Sequence, residues 1–378
     1  MSSGWPLLLE CCSLPRNPAK VSALACNLHD SESLFRLAEE HGVLALLSAT
    51  FATVPDARIS AVSLDSLRSH HRRQTVFTLA MTAELFSVLD LLRSSGVSAL
   101  AVKGPALSLR AYGDPAARRF ADLDLLVRQA DMLLAAEVLC AAGFESRIMP
   151  DAIRAGKIPG EYLFRRPGTR IILELHTECT FRHFPRRLPV DSYFRRQTSL
   201  LLDGYAVPVL CDEHEFLLLA VHGAKDFWGR LIWVSDVAAM VHNHPELDWK
   251  VIGKLAGEVG AARMLRVALL LARRLLRVPL PDQMKNEIER DSTCARVVAQ
   301  IETWLPHAGY LRVPMMQRAL FRYRIAGGAL AGSRYLARLS FSPAEEDWSA
   351  GGGAPGSALA EALRRPFRLA KKYRRPQS

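Results

Sequence analysis

Between Ala121 and Val127 the chain reads Ala-Asp-Leu-Asp-Leu-Leu-Val, and this stretch constrains the fold more than any other. A short apolar run in which acids alternate with leucines fits a strand. Side chains alternate across a strand, so Asp122 and Asp124 project from one face, about 6.5–7 Å apart along the chain. Two carboxylates on the buried face of an apolar strand repel each other and are poorly solvated, so the fold has to compensate them. Mg²⁺ does this with one or two carboxylates plus phosphate oxygens and water. In two-metal sites one ion activates the attacking oxygen and the other steadies the leaving group of an in-line displacement. The same pair, taken alone, also suits a solvated strand edge.

The neighbouring residues strengthen the phosphoryl-transfer reading. Val97 to Val102 is a second short apolar run, and it ends at Lys103-Gly104-Pro105. Pro105 to Tyr112 suits a helix with proline in its first turn, and Asp131 to Ala142 a second helix closed by Gly143. At such a junction Gly104 lets a triphosphate approach backbone N–H groups at a helix N-terminus, where the dipole also favours an anion. Lys103 and Arg118 add charge that neutralises phosphate. Further on, Gly168-Thr169-Arg170 reads as a hairpin turn feeding Ile171 to His176, a run with an acid, Glu174, between Leu173 and Leu175. Glu174 is the candidate third carboxylate of a metal cage; its alternative is an ion pair with an arginine such as Arg170. A further strand pair is predicted over Ser199 to Leu210, turning at Asp203-Gly204.

Elsewhere the apolar period is helical. Ser31 to Phe51 and Arg72 to Leu92 have it before the strands, and Glu213 to His222, Trp233 to Asn243 and Ala261 to Leu276 after them. The predicted division is therefore an N-terminal helical region (1–95), a mixed core (96–211), a C-terminal helical domain (212–342), and a Gly-rich linker with a basic tail (343–378). On a helix His222 and Lys225 share a face, from which they would reach a nucleotide or acceptor. Trp228 and Trp233 read equally as packing anchors, with Asp236 pairing Lys225 or Arg230.

The net charge of +11 invites a nucleic-acid or membrane reading. Much of it, however, lies in an acid-free terminal stretch holding Arg364, Arg365, Arg368, Lys371, Lys372, Arg374 and Arg375, and the body is only mildly basic. That tail supports salt-dependent attraction to RNA or an anionic membrane surface. The 7 cysteines are scattered, without a Cys-x-x-Cys pair, and read as reduced thiols. No signal peptide is expected from the N-terminus and no membrane span from the hydropathy, the nearest candidate being Val267 to Leu276. The expected location is the cytoplasm. Absence of a P-loop and of a kinase Gly-rich loop argues against a kinase.

The segment Val97 to Val127, with Lys103-Gly104, Tyr112-Gly113-Asp114-Pro115, Arg118 and Asp122-Leu123-Asp124-Leu125-Leu126-Val127, resembles an uncharacterised nucleotidyltransferase family of the DNA polymerase β-like superfamily. Leu173-Glu174-Leu175-His176 resembles that family's third-acid strand. His222-Gly223-Ala224-Lys225 with Trp228, Leu231, Trp233 and Asp236 resembles a third block. The resemblance spans roughly Ser31 to Asn243. It implies an α+β fold: a small mixed β-sheet nucleotidyltransferase core with helices, flanked by N-terminal helices and a C-terminal α-helical domain.

It also implies an NTP donor, with ATP the expected one, Mg²⁺ or Mn²⁺, and transfer of an NMP group to an acceptor. Asp122, Asp124 and Glu174 would be the catalytic metal ligands, Glu174 otherwise serving as base. Lys103, Gly104, Arg118, His222 and Lys225 would face the nucleotide. A small-molecule or peptide acceptor is favoured; the alternatives are an RNA-modifying or toxin-type enzyme and a non-catalytic nucleotide sensor. Two departures from the pattern stand out. Pro105 follows Gly104 where the superfamily has Ser or Gly, removing a hydroxyl and a backbone donor, and Asp226 stands where the family often has His.

Overall fold

The computed structural model describes residues 4–54, 61–146, 161–177, 190–307, 313–341 and 363–368. Helices α1 (Trp5–Cys12), α2 (Pro18–Cys26), α3 (Ser31–Glu40), α4 (Leu44–Thr53) and α5 (Ala61–Ser94) precede the sheet. Then come β1 (Ala99–Ala101), α6 (Gly104–Tyr112), β2 (Leu123–Val127), α7 (Met132–Ala141), β3 (Glu145–Ser146), β4 (Glu161–Arg165) and β5 (Ile172–His176). Helix α8 (Val190–Arg195) leads to the hairpin β6 (Thr198–Leu202) and β7 (Tyr205–Val209). Helices α9 (Asp212–Lys225), α10 (Leu231–Asn243), α11 (Trp249–Val259), α12 (Ala262–Leu276), α13 (Asp282–Arg290), α14 (Ser292–Trp304), α15 (Met315–Ile325) and α16 (Ala329–Phe341) follow. The Gly-rich linker, Cys179 and the tail beyond Arg368 lie outside the described residues. The fold is α+β, a small mixed sheet among helices.

The strands form one sheet in the order β3-β4-β5-β2-β1-β7-β6. β2 runs antiparallel to β1 and parallel to β5, and β1 runs parallel to β7. Alternation divides its two faces. Leu123, Leu125, Val127, Leu173 and Leu175 join Leu85, Val88 and Leu92 of α5 and Ala135 and Leu139 of α7 in one core. Leu100 and Leu126 point the other way, under Tyr193, Phe194 and Leu218. Asp124 shares that second face with Leu126, as the two-residue period requires. At the β6–β7 turn Asp203 and Gly204 both have positive φ, 48° and 82°, which matches the twist of a two-residue hairpin.

The largest core combines chain segments far apart in sequence: Trp5, Leu8, Leu34 and Leu47 of the first helices pack with Phe216, Val237, Val267 and Leu271. The periodicity over Ser31 to Phe51 predicts a continuous helix, but the structure has two. Helix α3 stops where Gly42 adopts φ 72° and the Val43 N–H bonds back to the Ala38 carbonyl at 2.8 Å. This is a left-handed glycine stop, which a β-carbon would strain. The break aims His41 at the start of α10: its Nδ1 accepts the Leu231 N–H at 3.1 Å and its carbonyl the Ile232 N–H at 3.1 Å.

A second difference concerns α5. No apolar stretch of membrane-spanning length was expected, yet Ser63–Ser94 reaches it by length and composition. Buried Met81, Leu85, Val88 and Leu92 place one face of this helix against the sheet.

His41 is wholly buried beside Arg230, and burial first, then that positive charge, push its pKa down to about 4. The folded protein keeps it neutral, so the unfolded chain binds the extra proton between about pH 6.5 and 4. Stability from this residue is complete above pH 6.5 and falls as pH drops toward 4, by about 3 kcal/mol in all. His214 is depressed to about 4 in the same way and adds to the slope. Urea denaturation of wild type and His41→Gln across this range should give a shallower pH slope for the variant; parallel slopes would contradict the assignment.

Candidate active site

The parallel pairing of β2 with β5 sets Asp124 opposite Glu174 and Leu126 opposite His176. Across β5, antiparallel pairing sets Glu161 of β4 opposite His176. Because residues two apart share a face, Asp122, Asp124, Glu174, His176 and Glu161 all belong to the face away from α5 and α7. Asp122 immediately precedes β2, half-buried, while Asp124 is inside it and 5% exposed.

The Lys103 ammonium donates to Asp124 Oδ1 at 3.1 Å, and His176 Nε2 approaches the same oxygen at 2.9 Å. His176 Nε2 also lies 3.6 Å from Glu174 Oε2. Ligating atoms of Asp124, Glu174 and His176 fall within 4.8 Å of one another, close enough to share one ion. Lys103 is placed by the strand-to-helix turn, where Gly104 has φ 62° at the start of α6. Only glycine takes that conformation without cost. The first N–H groups of a helix have no intrahelical partner, and the residue that begins α6 directly follows Lys103.

The electrostatics are unequal. Burial raises Asp124, but Lys103 and His176 outweigh it and hold the carboxyl far below its usual range. Burial and the Asp124 charge push Asp122 up. Burial, Asp124 and Glu161 push Glu174 up to about 7. One lysine and one histidine thus compensate one acid well and leave two under-compensated. That excess negative potential, in a set of carboxylate oxygens and one imidazole, suits a divalent cation. Asp122, Asp124 and Glu174 would hold it, with His176 as a further ligand or as a proton partner of the carboxylates.

Helix α9 borders this cluster. The Lys225 ammonium is 4.0 Å from Glu161 Oε2, and His222 Nδ1 is 3.6 Å from Asp226 Oδ2. Burial, then Lys103 and Lys225, depress the His222 imidazole well below its usual value, so it is neutral. Gly223 lets the helix end pack: a β-carbon there would lie 2.5 Å from the Trp228 ring, which is fully buried. Trp228 is therefore a packing anchor. Trp233 packs too, its ring edge-on to His222 at 5.4 Å.

Arg118 differs from the expectation of a cation facing phosphate. It is 5% exposed, and its Nε donates to Asp236 Oδ2 at 2.9 Å. The Tyr112 hydroxyl donates to the other oxygen of Asp236 at 2.8 Å. Asp236 thus pairs with Arg118, rather than with Lys225 or Arg230, and Glu174 faces His176 rather than Arg170. Lys103, Asp122, Asp124 and Glu174 come together as the sequence pattern predicts, with His222 and Lys225 at the rim. His176 and Glu161 are additions. His176 was visible as the residue two beyond Glu174; Glu161 stands at the head of a strand that the hairpin turn alone did not delimit.

Residues 27–277 match the family of uncharacterised nucleotidyltransferases. The chain belongs to this family. Membership supports nucleotidyl transfer as the general reaction type, and both acid-bearing strands and the His222 block fall inside the match. No curated protein matches the chain.

The buried Arg118–Asp236–Tyr112 cluster joins the loop before β2 to α10 and α6. Burial raises Asp236 even beside Arg118, so its charge depends on that partner. Arg118→Met should cost about 3–5 kcal/mol in urea denaturation, because it leaves a buried charge alone. Adding Asp236→Leu should recover much of the loss; a double variant no more stable than Arg118→Met would refute the pairing argument.

Proposed function

We propose that this nucleotidyltransferase family member moves an NMP group from an NTP, with ATP the expected donor, to a small-molecule or peptide acceptor in a reaction that depends on Mg²⁺ or Mn²⁺. The supporting observation is the convergence of Asp124, Glu174 and His176 within 4.8 Å beside the Gly104 helix start. Carboxylates and an anion-binding helix end on one sheet face are what in-line transfer between phosphates requires.

Divalent cations at such a site supply charge neutralisation of the triphosphate and activation of the attacking oxygen. The protein's own groups do the rest. Asp122 and Asp124 would hold the cation. Lys103, whose ammonium lies 3.1 Å from Asp124 Oδ1, would stand beside the phosphates as a neutralising charge. Glu174 would serve either as a further ligand of that cation or, where it is not one, as the base that accepts the acceptor's proton. Lys225 and neutral His222 line the rim on which base or acceptor would rest. Arg118 positions β2 through Asp236 and contributes its charge from behind.

Thermal unfolding with each NTP, with and without Mg²⁺, tests the binding half. A cation-dependent stabilisation of about 2.7 kcal/mol is expected at a hundredfold excess over Kd, absent in Asp122→Asn/Asp124→Asn. Label on the α-phosphate should then be transferred and label on the γ-phosphate should not, with at least a ~100-fold loss in the variant. Transfer of γ-label would make the protein a kinase. Stabilisation without any transfer, whatever acceptor is supplied, would make it a nucleotide sensor.

A further inference from the structure

The charge and apolar exposure left over by this site concentrate past the end of the family match. In residues 313–341 and 363–368 there are eight arginines and no acidic residue. The same short region holds Met316, Leu320, Leu330, Phe341, Leu363 and Phe367, six of the exposed large apolar side chains among the described residues, with Met316 77% and Phe367 78% exposed. None of these exposed apolar side chains touches the carboxylate cluster in any contact described above.

Part of them shares one helical face. After its first residue, the exposed positions of α16 are Leu330, Ser333, Arg334, Ala337, Arg338 and Phe341, spaced by three and four, so they form a single helical face. Apolar side chains stand at both ends of that face and arginines between them. Helix α15 is locked against α16, for a β-carbon at Gly332 would lie 2.6 Å from the Tyr323 ring. The turn carrying Phe367 docks on the same helix through Arg365 Nε, which donates to the Leu339 carbonyl at 3.2 Å. From the sequence, Lys371, Lys372, Arg374 and Arg375 follow directly.

We propose that this face seats the protein on an anionic membrane surface, with the arginines at lipid phosphates and Leu330, Phe341 and Phe367 in the acyl boundary. Charge complementarity selects an anionic partner, and the apolar side chains select among such partners. RNA would satisfy the arginines but has no use for exposed Leu and Met, and its bases stack on aromatic platforms. A bilayer interface takes both kinds of side chain at once, and stable attachment needs both signals together. The hairpin is tied to the catalytic rim: Phe321 of α15 packs on Phe227, two residues past Lys225, at 5.2 Å between rings. Attachment would therefore hold the cleft beside the lipid surface.

Flotation of the full chain with vesicles of phosphatidylcholine and phosphatidylglycerol, and with phosphatidylcholine alone, decides the matter. The protein should float with the anionic vesicles only, and less as salt rises. Phe341→Ser/Phe367→Ser should lower the partition on the order of tenfold, as should Arg334→Gln/Arg338→Gln. All four side chains are exposed, so thermal midpoints should not change; Leu330→Ser/Met316→Ser provides an independent apolar variant. No flotation, or equal flotation of the Phe variant, overturns the proposal. So does binding of a labelled oligoribonucleotide that resists the Phe substitutions and displaces the vesicles. None of these outcomes bears on nucleotidyl transfer, which is read separately by α-label.

Discussion

The structure depends on an ionised carboxylate, Asp124, held almost out of water in the second strand of the sheet. Such a charge is tolerable only when partners satisfy it, and here Lys103 and His176 meet at one of its oxygens. Both are delivered by backbone. Lys103 ends the first strand's turn into α6, and His176 ends the strand running parallel to β2. The Val102 N–H donates to the Asp124 carbonyl at 3.1 Å, so the ladder itself fixes the lysine against the acid. Remove the acid and there is no reason for a lysine, a histidine and a second acid to crowd this face.

Burying the group also fixes what surrounds it. The loop from Tyr112 to Asp122 must return the chain to β2, and Arg118 anchors it by reaching Asp236 on α10. The Ser108 hydroxyl donates to the Asp114 carbonyl at 2.7 Å and accepts the Arg118 N–H at 3.1 Å, closing the same loop from inside. Thus the helices after the sheet are not an appendage: they hold the strand that carries the acids. The first helices pack into that same body, through His41 on α10 and through Glu10, whose carboxylate pairs with Lys20 at 2.9 Å and Arg277 at 2.5 Å.

What could be read in the sequence was what is local. The two-residue alternation in Ala121 to Val127 revealed the strand and the face of Asp122 and Asp124, because strand period and side-chain direction are the same fact. The β6–β7 turn was legible because Asp-Gly supplies positive φ. Gly42, by contrast, sits inside an apolar pattern that continues on either side, so periodicity passed over the stop. The partner of Asp236 lies 118 residues away, and that of Asp124 on β5 lies 52 away, and no local pattern encodes either. Arg118 looked like a free cation because its burial is a property of packing. Glu161 was missed because its role arises from register alone.

The turn after α9 shows how far the site reaches. Phe227 and Trp228 both have left-handed φ, 59° and 53°, a conformation that costs a non-glycine residue roughly 1–2 kcal/mol. Such a cost persists only where the surroundings over-determine it. Trp228 is held by packing over Gly223 and by its N–H, which donates to the Gly223 carbonyl at 2.7 Å. Phe227 is held by residues beyond the family match: Trp304 Nε1 donates to its carbonyl at 3.0 Å, and Phe321 packs on its ring. Arg318 and Arg322 lie over that ring as well, 5.6 and 4.7 Å from its centre. The backbone that ends α9 just after His222 and Lys225 is therefore fixed from both sides, by a glycine within the shared family region and by helices outside it. The rim of the site is held partly by residues inside the family match and partly by helices that follow it.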